Sequence, residues 1–117
     1  LTGSYQKVGN FPGITVEMKY GKLKHFPEIE IVDLPGVYSL DNYSEEEKET
    51  INFLKNNQVD YIINIIDGTC LSRHLLLTKE LLKLNTKVIL CISFFDEMTT
   101  QQKENLQKRK YFVFLKI

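Results

Sequence analysis

The sequence predicts an α/β protein with a mostly parallel sheet and helices on both faces. Apolar runs rich in β-branched residues at 29–33, 61–66 and 87–92 have the composition of strands. Segments with a helical spacing of apolar residues follow at 44–56 and 71–84. Strands that alternate with helices are joined by crossover connections, which place the strands parallel and pack the helices against the sheet.

The composition indicates a single domain in a reducing compartment. The chain has 117 residues, with 15 Lys and Arg balanced by 15 Asp and Glu, so its charge does not favour nucleic acid as a partner. Cys70 and Cys91 lack the spacing of a zinc or disulfide motif. No apolar run approaches the ~20 residues that span a bilayer. By itself the chain is expected to be a soluble intracellular domain.

The stretch from Ile29 to Gly36 is the centre of the predicted site. The strand ends at Asp33, and Pro35-Gly36 stops it. A carboxylate at the carboxyl end of a strand suits hydrated Mg²⁺, and Gly36 lets a backbone N–H approach a phosphate closely. A solvated acid at the end of a strand is the alternative. Upstream, we expect a loop at 5–13, a strand at 14–20 and a hairpin turn at Gly21-Lys22.

The remaining elements follow from caps and apolar patterns. Ser44 and Glu47 fit a capping box for a helix that ends near Asn56. The run at 61–66 is nearly continuous, as in a strand covered on both faces. Further predicted elements are a helix at 71–84 with Arg73 and His74 exposed, a strand at 87–92, a helix from 99 to about 110 and a strand at 111–115. Strand ends at Asp33, Asp67 and Asp96 are expected to meet at one edge and form a ligand site.

Two motifs in this order resemble the G domain of the ferrous iron transporter B (FeoB) family. The first is Val8-Gly9-Asn10-Phe11-Pro12-Gly13-Ile14-Thr15-Val16-Glu17, and the second is Ile31-Val32-Asp33-Leu34-Pro35-Gly36-Val37-Tyr38-Ser39-Leu40. The segments 60–67 and 71–75 continue the match, which covers about residues 1–98. The resemblance implies a P-loop GTPase-like fold in which 1–117 is a single partial G domain, lacking the first strand and first helix.

The resemblance also implies GTP or GDP and Mg²⁺ as cofactors. Thr15, in switch I near 8–17, would ligate Mg²⁺ through its hydroxyl and sense the γ-phosphate through its backbone. Asp33 would hold Mg²⁺ through water, and Gly36, in switch II at 33–40, would direct its N–H to the γ-phosphate. Val37 cannot orient a water molecule as a glutamine does, so the parent protein is expected to be a slow GTPase.

Two departures from the family pattern affect the nucleotide site. The phosphate-binding motif Gly-x-x-x-x-Gly-Lys-Ser/Thr does not occur in these residues, so we expect this chain alone to be inactive, with undetectable GTP affinity. The guanine box at 93–96 reads Ser93-Phe94-Phe95-Asp96 in place of Asn-x-x-Asp. Asp96 could still accept two guanine N–H bonds, whereas Ser93 is too short to replace an asparagine, at a cost of about 1–3 kcal/mol.

The leading interpretation is a fragment of a GTP-dependent switch coupled to Fe(II) uptake. Its partners would be guanine nucleotide and the membrane transport domain of the parent protein, at the cytoplasmic face of the membrane. The alternative is a degenerate, nucleotide-free interaction module or an inactive remnant. A response-regulator-like receiver fits the strand-end acids but does not explain the Thr15 segment. Because Leu1-Thr2-Gly3-Ser4 resembles a helix end, we expect the chain to begin inside a domain. The family resemblance implies that the missing first strand belongs between the strands that end at Asp33 and Asp67, so two strand edges would be uncovered and the chain would tend to aggregate.

Overall fold

The structure is a computed structural model that describes residue 3 and residues 6–38, 44–107 and 115–116. The chain divides into two compact units. The first comprises Leu1–Val37 and Asp41–Gln58, and the second comprises Tyr38–Leu40 and Val59–Ile117.

The first unit contains a three-stranded antiparallel sheet and one helix. Strands β1 (Lys7–Gly9), β2 (Met18–Leu23) and β3 (Phe26–Asp33) lie in the order β1-β2-β3. Helix α1 spans Glu45–Asn56 and begins with the predicted capping box, in which the Ser44 hydroxyl accepts from the Glu47 N–H and the Glu47 carboxylate accepts from the Ser44 N–H. The predicted helix boundaries at Ser44 and Asn56 are therefore confirmed.

Three predictions for the start of the chain are wrong. Residues 7–9 were expected in a loop, but they form β1, which pairs with β2 through Gly9 opposite Met18. The hairpin turn lies at residues 24–25, not at Gly21-Lys22, and β2 starts at Met18, not at Ile14. Gly21 continues the strand because it pairs with Ile31, and this cross-strand partner outweighs the turn preference of glycine.

The second unit contains a parallel sheet with helices, in agreement with the predicted α/β class. Its elements are β4 (Tyr61–Asp67), α2 (Leu71–Leu81), β5 (Lys87–Ser93), α3 (Thr100–Gln107) and β6 (Leu115–Lys116), with strand order β4-β5-β6. Short 3₁₀ turns at Gly68–Cys70 and Phe95–Glu97 follow β4 and β5. Helix α2 is three residues shorter than predicted, while residues 108–114, expected to end α3 and begin the last strand, lie outside the described part.

The core of the second unit lies between the sheet and its helices. It consists of Ile66, Leu75, Leu90, Ile92, Met98 and Leu106. The prediction that β4 is covered on both faces is wrong. Ile66 is buried, but Tyr61, Ile63 and Ile65 on the opposite face of the strand are 55%, 46% and 61% exposed. A continuous apolar run therefore does not reveal which of its alternating side chains are covered.

Candidate functional site

The segment that contains Thr15 is preceded by a tight turn. The Ile14 N–H donates to the Phe11 carbonyl oxygen at 3.1 Å, and Gly13 has a φ of +77°. Proline followed by a glycine with positive φ is the pattern of a type II turn. Pro12 and Gly13 therefore set the course of the backbone immediately before Thr15.

The same turn is attached to α1 and to β2. The Phe11 ring makes edge-to-face contacts with Phe53 of α1 and Tyr20 of β2, with centroids 5.2 and 5.6 Å apart. The Asn57 side chain, at the end of α1, donates to the Pro12 carbonyl oxygen at 3.2 Å. Aromatic packing and a hydrogen bond thus hold the segment before Thr15 within the first unit.

Thr15 itself contacts a carboxylate on α1. Its hydroxyl lies 2.5 Å from Oε1 of Glu49, and its backbone N–H donates to Oε2 of the same residue at 3.3 Å. Since Glu49 is half-buried and Thr15 is exposed, these bonds lie at the protein surface. The hydroxyl and the backbone N–H of Thr15, which are predicted to contact Mg²⁺ and the γ-phosphate, are therefore both hydrogen-bonded to Glu49.

Asp33 and Gly36 lie on and after the end of β3. Asp33 is the last residue of the strand, pairs in register with Lys19 and is exposed. The loop that follows is tied to α1, because the Thr50 hydroxyl donates to the Pro35 carbonyl oxygen at 3.0 Å. A Cβ placed on Gly36 would meet no atom of the described residues within 4 Å. Packing therefore does not explain this glycine, whereas close approach of a ligand to its N–H would.

Glu49 and Thr50 are the residues that the sequence did not single out. They are neighbours on α1, and one bonds to Thr15 while the other bonds to Pro35. Glu49 is 34 positions from Thr15, so no local pattern distinguishes it from the other acids of the same helix. The structure thus joins the two candidate switch segments to adjacent positions of one helix.

The guanine-box positions belong to the second unit. The Ser93 hydroxyl donates to the carbonyl oxygen of Ile66 at 3.0 Å, which links the ends of β5 and β4. Asp96 is exposed in the 3₁₀ turn that follows β5, three residues beyond the strand end. Of the two intervening aromatics, Phe95 packs against the core, and Phe94 is 52% exposed with a φ of +53°. The Asp96 carboxylate is therefore accessible, whereas the Ser93 hydroxyl proton is already donated to a backbone carbonyl oxygen of the sheet.

Asp67 has a structural role at the end of β4. Its carboxylate accepts from the Thr69 hydroxyl at 2.6 Å and from the Thr69 N–H at 2.8 Å, which caps the 3₁₀ turn. These two hydrogen bonds hold the pKa of Asp67 below its ordinary value. Asp67 and the Asp96 turn follow parallel neighbouring strands, as expected for one sheet edge, whereas Asp33 belongs to the sheet of the first unit.

Helix α2 contacts the ring of Tyr38, the residue that follows Val37. The Arg73 guanidinium lies 4.1 Å from the centroid of the Tyr38 ring, and the His74 ring lies 5.8 Å from it. Arg73 is exposed as predicted, but His74 is half-buried because it packs beside this tyrosine. A cation over an aromatic face is attractive, so this contact favours the position of the Tyr38 ring beside α2.

Within the described residues, no three His, Cys, Asp or Glu side chains are grouped closely enough to hold a metal ion. The proposed pairing of Thr15 and Asp33 as Mg²⁺ ligands remains a prediction. Among the helices that the structure describes, none is sufficiently long and apolar to cross a membrane.

Residues 1–112 match the family model described as ferrous iron transport protein B. The chain belongs to this family. It is 52% identical over 99 residues to the Fe(2+) transporter FeoB of Campylobacter jejuni, a match over 83% of this chain and 16% of the relative. It is 42% identical over 108 residues to a Helicobacter pylori FeoB, over 92% of this chain and 16% of that protein. The chain thus spans about a sixth of the length of the curated FeoB transporters it matches.

Solved FeoB structures have the same fold as this chain. The cytosolic domain of L. pneumophila FeoB is 36% identical, with a TM-score of 0.79 over 100% of this chain and 52% of that one. A GDP-bound variant of S. thermophilus NFeoB is 36% identical, with a TM-score of 0.81 over 99% of this chain and 47% of that one. The cytosolic domain of T. maritima FeoB in its GMPPNP form is 34% identical, with a TM-score of 0.75 over 99% of this chain and 48% of that one. These similarities confirm the predicted FeoB G-domain fold.

Proposed function

We propose that this chain is part of a GTP- and Mg²⁺-dependent switch that controls Fe(II) uptake through the membrane domain of its parent protein. The observation that carries the proposal is the attachment of both candidate switch segments to α1, through Glu49 and Thr50. A switch needs segments that respond together to the presence of a γ-phosphate, and one shared helix supplies such a connection. The parent would bind guanine nucleotide at the cytoplasmic face of the membrane.

On the phosphate side, the assigned residues are Thr15, Asp33 and Gly36. The Thr15 hydroxyl would bind Mg²⁺, and the exposed Asp33 carboxylate would hold the ion through water. The N–H groups of Thr15 and Gly36 would donate to the γ-phosphate, and the open surroundings of Gly36 leave room for this approach. Hydrolysis would be slow, because the Val37 side chain has no polar atom with which to orient water.

On the base side, Asp96 would carry the guanine selectivity. An exposed carboxylate can accept two hydrogen bonds from guanine N1 and N2, which adenine does not offer. Ser93 would not contribute, because its proton is donated to Ile66. This last contact also favours the second candidate function, a nucleotide-free interaction module, since the residue corresponding to the first guanine-box position serves the sheet.

Nucleotide titration separates the two functions. In the full-length protein that carries this chain, fluorescent GTP and GDP analogues should bind with Mg²⁺ at micromolar concentration, and an ATP analogue should not. Replacing Asp96 by Asn should lower the affinity for guanine nucleotides by about 10- to 100-fold, because a charge-assisted hydrogen-bond pair is lost.

The matched control is Glu97→Gln, which removes an exposed acid beside Asp96 in the same 3₁₀ turn. This variant should bind as the unmodified protein does. Equal binding of ATP and GTP analogues, or binding of neither, would favour the nucleotide-free module. Loss of affinity in both variants alike would show that net charge, not base recognition, is responsible.

A further inference from the structure

The contact between Glu49 and Thr15 has the chemistry of an anion site occupied by the protein itself. One carboxylate oxygen of Glu49 lies 2.5 Å from the Thr15 hydroxyl, and the other accepts from the Thr15 N–H at 3.3 Å. A carboxylate and a phosphate both present negatively charged oxygens to such donors. Glu49 is fixed on α1, whereas Thr15 lies in the connection between β1 and β2.

We propose that Glu49 is an internal competitor of the γ-phosphate, which holds Thr15 away from the nucleotide until a triphosphate displaces it. This regulatory role rests on the proposed function, which gives the Thr15 N–H to the γ-phosphate. The N–H carries one proton and cannot donate full hydrogen bonds to both acceptors. Binding of the triphosphate and retention of the Glu49 contact are therefore mutually exclusive at this donor.

The two attachments of α1 differ in how easily they can be released. The Glu49 bonds to Thr15 are exposed, and exposed charged contacts contribute little net stability. The neighbouring Thr50 is 4% exposed, so its bond to Pro35 is better shielded from water. An incoming γ-phosphate would accordingly release Thr15 first, while the Pro35 attachment remains. We call the releasable contact between Glu49 and Thr15 the latch, and the contact between Thr50 and Pro35 is the one that is retained.

The first test compares two nucleotides in the full-length protein that carries this chain. The Glu49→Ala variant should bind a non-hydrolysable GTP analogue about 1.5- to 5-fold more tightly, the range expected for loss of an exposed charged contact. GDP has no γ-phosphate, so its affinity should not change. Glu49→Gln should give a smaller gain, because its amide oxygen can still accept a hydrogen bond from Thr15 but carries no charge.

The matched control is Glu46→Gln, at an exposed acid in the first turn of the same helix. This variant should leave both affinities unchanged. An equal gain for GDP and the GTP analogue, or no gain for either, would overturn the latch while leaving the proposed function intact. Failure of every variant to bind either nucleotide would overturn the proposed function, and the competitor role with it.

The second test needs no nucleotide. Hydrogen–deuterium exchange of the peptide that spans Thr15 should be about 1.5- to 5-fold faster in Glu49→Ala than in the unmodified protein, since the exposed acceptor of the Thr15 N–H is removed. Glu46→Gln should exchange at the original rate. Unchanged exchange in Glu49→Ala would contradict the latch whatever the nucleotide titrations give.

Discussion

Gly36 and Gly68 are glycines for different physical reasons. A Cβ on Gly68 would lie 2.5 Å from Sδ of Met98 and 3.0 Å from Cγ2 of Ile92, both buried in the core of the second unit. A Cβ on Gly36 would contact no described residue within 4 Å. Gly68 therefore serves close packing, and Gly36 is unconstrained by its protein neighbours.

Replacing each glycine by alanine should separate stability from nucleotide sensing. Gly68→Ala should lower the free energy of unfolding by about 1–3 kcal/mol, because Met98 and Ile92 must move to admit the methyl group. Gly36→Ala should change it by less than about 0.5 kcal/mol. Urea unfolding monitored by circular dichroism measures both.

Under the proposed function, Gly36→Ala should still weaken the binding of the GTP analogue relative to that of GDP, since its methyl group would hinder the approach of the γ-phosphate. Equal stability losses in the two variants would refute the packing argument for Gly68. If the GTP analogue and GDP each bind Gly36→Ala as tightly as they bind the unmodified protein, this result would count against the switch II assignment.

At the scale of elements, one buried polar pair joins β4 to α2. The Asn64 amide nitrogen donates to the Thr78 hydroxyl at 2.8 Å, and these residues are 7% and 1% exposed. The Thr78 hydroxyl in turn donates to the carbonyl oxygen of His74 at 3.3 Å. Buried polar groups are costly unless paired, so this pair helps determine how α2 docks on the strand.

Replacing Thr78 by Val keeps the side-chain shape but removes the acceptor for Asn64. The expected loss is about 1–3 kcal/mol in the free energy of unfolding, because a buried amide donor is left without this partner. Thr78→Ser keeps the hydroxyl and removes one methyl group, so it controls for packing. Urea unfolding should find the valine variant less stable than the serine variant, and the reverse order would refute the role of this hydrogen bond.

At the scale of the whole chain, exposed strand surface leads to a prediction about association in solution. Strand β4 lies at the edge of the sheet formed by the described strands β4, β5 and β6. Ile63 and Ile65 on this strand are 46% and 61% exposed. Unpaired backbone groups beside apolar side chains are a template for strand pairing between molecules, so the isolated chain should self-associate.

Size-exclusion chromatography with light scattering measures this association. The chain should elute as a species larger than a monomer, and Ile65→Lys should shift it toward the monomer because a charge blocks edge pairing. Leu76→Lys, at a 53% exposed apolar position on α2, is the control and should have a smaller effect. A monomeric peak together with a cooperative thermal transition of the unmodified chain would contradict the prediction.

Much of the fold and the candidate segments could be predicted because their signals are local. The Ser44–Glu47 capping box involves residues three apart, and the ends of β3 and β4 coincide with an acid followed by a turn. The position of the hairpin turn was not predictable in this way, since Gly21 is placed by its cross-strand partner Ile31. The one-sided burial of β4 likewise depends on what packs against it.

The sequence by itself determined the family and the α/β class, and it singled out the Thr15 and Asp33–Gly36 segments as candidates, because motif order and apolar periodicity are properties of neighbouring residues. Only the tertiary structure decided that Glu49 binds Thr15, that Thr50 binds Pro35 and that Ser93 donates to Ile66. These contacts join residues 15 to 34 positions apart, and a side chain's partner at such separation is set by how the elements pack.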